Sequence, residues 1–213
     1  MNPETPKHLN TFEGVVREVK RPLAMHQYPD DLRTVLVMGF TDQMIEHHEA
    51  TLLLIRSGKV GSAFALARSI FESAYRGLWV NFCAEHAELK QFEKDDKLPI
   101  KFNDMALAID QKYNGDGFFE DFKNRAWPAL CSDTHTGMLQ LGRRFNEHKV
   151  EPTCTDGQIY QVTTTMTTCI IMLAGRFLAV QNHAECKDID ALVTAYGPLA
   201  ESGGSDPGVV YGA

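Results

Sequence analysis

GSAFALARSIFESAYRGLWVNFCA, residues Gly61 to Ala84, is the stretch whose reading decides the fold. At 100° per residue Phe64, Phe71, Tyr75, Leu78 and Phe82 fall in one arc, flanked by Ala67, Ala74 and Trp79. That spacing predicts an amphipathic helix with most of its surface inside the core. Arg68 projects into the middle of the arc, and Glu72 follows one turn later at its edge. A lone charge on such a face is too costly to bury. Arg68 and Glu72 therefore read either as a structural ion pair or as the wall of a polar pocket.

Working outward, Asp30 and Asp31 after Tyr28-Pro29 predict a helix start, with Asp30 as the cap. The helix runs from 31 to 56 with Val37, Phe40, Met44, His48, Leu52 and Ile55 inward, and Ser57-Gly58 stops it. So short a turn predicts an antiparallel hairpin with 60–84. Residues 85–97 are densely charged and read as a solvated continuation. Leu98-Pro99 breaks the chain, and Asp104 caps a short helix to Tyr113. A helix from Phe118 is expected to be interrupted at Trp127-Pro128, because proline lacks the amide donor. Met138 to Glu147 and 156–182 read as helices, with Gly175 marking a close neighbour. A further short helix is expected near 189–196.

The N-terminal residues carry Pro3, Pro6 and Pro22, and only a short helix at 11–20 is expected there, with Arg21 and Pro22 outside it. No strand pattern longer than a few residues occurs. The expected architecture is all-α: a single-domain antiparallel helical bundle with long central helices at 30–196. Residues 1–29 form an N-terminal extension, and 197–213, rich in Gly, Ser and Pro, a flexible tail.

The 213 residues carry a formal net charge of −7, which argues against a broad nucleic-acid-binding face but not against a local basic pocket. The five cysteines are odd in number and include no CxxC pair. Read as reduced thiols, they imply a cytoplasmic protein. No stretch reads as a membrane span, and residues 1–10 contain no apolar signal segment.

Three constellations carry chemistry. Glu46-His47-His48-Glu49 point in different directions around one helix, so they do not form a metal site, and no metal or cofactor is expected. Arg68, Glu72 and Arg76 make a charged row at i, i+4 and i+8, suited to a carboxylate or phosphate if it is not an intrahelical ladder. Thr134-His135-Thr136-Gly137, followed by Arg143-Arg144, offers a candidate general base beside hydroxyls. The same residues also read as plain capping.

Arg68 to Glu72 with Tyr75-Arg76-Gly77-Leu78-Trp79, and Thr134 to Gly137 with Arg143-Arg144, resemble a group of uncharacterised bacterial helical proteins. These are catalogued as domains of unknown function, distantly similar to HEPN-type and abortive-infection folds. The resemblance implies an all-α bundle, a homodimer, and phage defence or metal-independent RNA cleavage. HEPN nucleases carry an Arg followed, after four to six residues, by His. Arg21 to His26, Arg143 to His148 and Arg176 to His183 match that spacing. The catalytic candidates are therefore His135, Arg143, Arg176 and His183, with Arg68, Glu72, Arg76 and Thr134 as binding candidates. The contrasting reading is a non-enzymatic bundle that binds a small anionic ligand or a partner protein.

Overall fold

A computed structural model describes residues 4–25, 27–113, 115–146, 148–151 and 153–180. The elements in chain order are α1 (Glu4–Met25), α2 (Leu32–Arg56), α3 (Val60–Phe82), α4 (His86–Asp95), α5 (Phe102–Tyr113) and α6 (Phe118–Thr134). They continue with α7 (Met138–Gly142), β1 (Phe145–Asn146), β2 (Lys149–Val150) and α8 (Asp156–Val180). The fold is an all-α bundle.

Helix α3 is its axis. It packs most extensively on α2 and is walled by α8, α6 and α5. Ala67, Phe71, Ala74, Tyr75, Leu78 and Trp79 are all buried, as the periodicity predicts, and Phe82 is half-buried. Tyr75 donates a hydrogen bond of 2.6 Å to the Phe119 carbonyl, so the largest polar side chain of the core is satisfied. Gly77 sets the distance to α8: a methyl group there would overlap the Leu173 side chain.

The α2–α3 hairpin forms as expected. Asp31, one residue later than the expected Asp30, caps α2 by accepting from the Thr34 amide at 3.1 Å. At the other end Gly58 adopts φ +72°, and the Gly58 and Lys59 amides bond back to the Ile55 and Leu54 carbonyls. That pairing is a Schellman ending, which favours glycine because φ is positive. Arg33 locks the hairpin by donating to the Val80 and Ala84 carbonyls at the free C-terminal end of α3.

Several expectations need correction. The N-terminal helix is 22 residues long rather than the short segment at 11–20, and it includes Arg21 and Pro22. The hydrogen bond lost at Pro22 is outweighed by packing, since Leu9, Phe12, Val15, Val16 and Val19 are buried against the bundle. Residues 86–95 form a separate helix, begun by a Glu85–Glu88 capping box, and not a continuation of α3. Helix α5 starts at Phe102, so Asp104 lies in its first turn instead of capping it. Helix α6 runs unbroken through Pro128. Its N-terminal amides at Phe119 and Glu120 are satisfied by the Asp110 carboxylate at 3.0 and 2.8 Å, and Trp127 stacks on Phe102 at 4.3 Å. Tertiary contacts thus outweigh the one hydrogen bond lost at proline. The helix expected over 138–147 ends at Gly142, and a two-residue antiparallel ladder pairs Phe145 with Val150. The helix expected at 189–196 lies outside the described residues.

Candidate anion-binding site

One side of α3 is half-buried: Gly61, Ala65, Arg68, Glu72 and Arg76 lie within about 80° of one another at the helical period of 3.6 residues, with the fully buried Phe64 at its edge. The C-terminal end of α6 and the segment after it run along this side. Arg68 is only 20% exposed and shares Glu72 with Arg76, through contacts of 2.7 and 3.2 Å. Its guanidinium lies 4.8 Å over the Trp127 ring. The tryptophan fills the apolar arc that the sequence assigns to Arg68, and the arginine stem crosses its face so that the head group reaches the rim.

His135 meets Arg68 there. Its Nε2 accepts a hydrogen bond from Arg68 Nη1. The histidine is placed by the way α6 ends. The Gly137 amide bonds to the Ser132 carbonyl at 2.8 Å, and the His135 amide to the Cys131 carbonyl at 2.9 Å. This is again a Schellman ending, but Thr136, at φ +55°, holds the position that Gly58 holds in α2. A β-branched residue in that region is strained. Gly137 is needed for space, since a Cβ there would stand 2.9 Å from the Ser132 Cα. Thr134 turns its hydroxyl back to the Leu130 carbonyl at 2.9 Å, so it caps its own helix.

One turn earlier on α3, Arg143 lies 5.0 Å over the Phe64 ring and pairs with Asp133, which is 2% exposed. Burial pushes the Asp133 carboxyl above its ordinary value, and the Arg143 guanidinium opposes that shift. The Cys154 thiol nearby is pushed up to about 11 by burial, against the pull of Arg143. It is therefore a poor nucleophile. Arg144 crosses Gly61, where a side chain would collide with its guanidinium. Lys59 supplies no side-chain cap to α3, and the Ser62 and Ala63 amides bond to its carbonyl at 3.1 Å. A water-sized space of about 20 Å³ is lined by Gly58, Gly61, Phe64, Arg143, Arg144 and Cys154.

The structure therefore brings Arg68, Glu72, Arg76 and His135 together and sets Arg143 beside them in a separate, inward-facing pair. Of the spacing-based Arg–His pairs, only Arg143 and His148 lie wholly among the described residues. Arg143 is committed to Asp133, and no hydrogen bond joins it to His148, which is exposed in the β1–β2 turn. Arg176 stacks 4.4 Å over Tyr113, away from α3's polar side, and His183 lies outside the described residues, as does His26. Trp127 and Asp133 are the site residues that the sequence reading missed. In the sequence the first reads as part of a helix break. A charged residue ten positions before Arg143 was the only available signal for the second.

Among the described residues no cluster of three His, Cys, Asp or Glu side chains could hold a metal ion. No described helix is long and apolar enough to cross a membrane. Neither the curated proteins nor the solved structures contain a match to the chain. A family model does match: it spans residues 42–198, from the third turn of α2 to beyond α8, and includes every element that builds the site. The chain belongs to DUF6988, a family of unknown function.

Proposed function

We propose that the exposed side of α3 binds an anionic ligand, and that a phosphodiester strand fits it best. The observation that carries this reading is the row of Arg144, Arg143, Arg68 and Arg76 along one side of a single helix. Four guanidinium groups stand against two carboxylates, Asp133 and Glu72, in a chain of net charge −7. From Gly61 to Arg76 the row extends roughly 22 Å at 1.5 Å per residue, longer than a single phosphate or carboxylate needs. Arginine forks suit phosphate oxygens, and the face of Trp127 is a platform beside them.

The Arg68–His135 contact favours a second, narrower reading, metal-independent RNA cleavage. There His135 is the base and Arg68 stabilises the phosphate, once a bound strand displaces their mutual hydrogen bond. A homodimer and a role in phage defence belong to that reading. The free thiols of Cys83, Cys131, Cys154 and Cys169 fit a cytoplasmic setting.

Fluorescence anisotropy with a labelled ten-residue oligouridylate tests the binding. Arg68→Gln and Arg76→Gln should each weaken it about tenfold, the loss of one charge-assisted contact. Competition by inorganic pyrophosphate without any binding of the oligonucleotide would replace the strand by a small anion. If the RNA is cut in EDTA, His135→Ala should slow the reaction by roughly 10²–10⁴-fold. RNA left intact removes the nuclease reading and leaves the binding one.

A further inference from the structure

Helices α1 and α2 run antiparallel across a groove of about 420 Å³, within the usual range for small-molecule sites. Its floor is apolar, with Val16 and Leu52 buried, and the exposed Leu53 stands on its rim. Two ion pairs cross it: Lys20 with Glu49 at 2.9 Å and Arg56 with Glu13 at 2.6 Å. They lie seven residues apart on both helices, roughly 10 Å at 1.5 Å per residue. Arg17 lines the groove between them and makes no ion pair among the described residues.

His48 is the unusual member of this lining, since it is fully buried. The Thr167 hydroxyl donates to the Thr163 carbonyl at 2.9 Å, so its oxygen accepts from His48 Nε2 at 3.0 Å. The neutral ring then has its proton on Nε2, and Nδ1 is left as a buried acceptor without a partner among the described residues. Buried acceptors are rarely left unpaired in folded proteins, and one beside a formed groove marks a place for a donor.

We infer that the α1–α2 groove binds a small amphiphilic anion: an apolar body about 10 Å long, an anionic group held by Arg17, and an N–H or O–H donor for His48 Nδ1. The ion pairs at the two ends bound its length. The apolar floor selects against a free inorganic anion, and the Arg17 guanidinium, which helps Arg56 hold the Glu13 carboxyl below its ordinary value, selects against a cation.

The test uses 1-anilinonaphthalene-8-sulfonate, which joins a sulfonate, an N–H and an apolar bicyclic ring. Its fluorescence on the full chain should saturate at one probe per molecule. Arg17→Gln should weaken that binding about tenfold, the loss of one charge-assisted contact. Leu53→Trp, a change at an exposed position that closes the mouth, should abolish it without altering the circular dichroism. Arg68→Gln should leave it unchanged. Non-saturating fluorescence, or binding that both groove variants retain, would mean that the probe coats exposed apolar residues such as Met138 and Val150, and would overturn the proposal.

Discussion

At the scale of single residues, His48 shows how burial turns a titratable side chain into a stability term. It is held neutral because desolvation lowers its pKa to about 4, and the Glu13 carboxylate opposes that shift only weakly. The unfolded chain has an ordinary histidine near 6.5, so between these values the unfolded state binds the extra proton. Stability is therefore intact above pH 6.5 and falls as the pH drops toward 4. At roughly 1.4 kcal/mol per unit this amounts to about 3 kcal/mol. Urea midpoints measured across that window should show the loss in the wild-type chain and a clearly flatter profile in His48→Gln. Parallel profiles would mean that His48 is solvated in solution. The sequence reading placed His48 on the inward stripe correctly. It had no means of finding Thr167 as the partner, 119 positions away.

Among the elements, those dictated by local pattern were the legible ones. Helices α2 and α3 follow from apolar periodicity and a glycine stop, and each boundary came within a residue or two of the structure. The misread elements depend on distant partners. Pro128 stays inside α6 because Asp110 caps the helix start and Trp127 is packed between Phe102 and Arg68. In the same way α1 owes its full length to burial against α8, since its own sequence carries Pro22. Likewise, the candidate site was legible only in part. Arg68, Glu72 and Arg76 follow from the i, i+4 rule, and His135 stands out with its glycine, but the pairing of Arg143 with Asp133 does not. The two Schellman endings offer a direct comparison. Gly58 occupies the left-handed position in α2 without strain, whereas Thr136 occupies it in α6, next to His135. Thr136→Gly should raise stability by about 1 kcal/mol in a denaturant titration, the approximate cost of left-handed backbone for a side chain with a Cβ. If strain there serves to hold His135 against Arg68, the same variant should weaken oligonucleotide binding. A destabilised Thr136→Gly protein would show that the threonine hydroxyl, bonded to the His135 carbonyl at 2.6 Å, outweighs the strain.

Over the whole molecule, charge decides how the site can work. A chain of net charge −7 repels polyanions at long range, so binding has to come from close contacts along α3 and not from a diffuse basic surface. Glu72 and Asp133 also keep part of the row neutralised until a ligand competes for Arg68 and Arg143. The dependence of oligouridylate affinity on salt measures this most directly. Each phosphate neutralised on a single strand contributes about −0.7 to the slope of log K against log salt. With Arg144, Arg68 and Arg76 engaged, the wild-type slope should be about −2, and Arg76→Gln should reduce its magnitude by about 0.7. A slope near zero, or one that Arg68→Gln and Arg76→Gln leave unchanged, would contradict the assignment of this side of α3 as an anion-binding site.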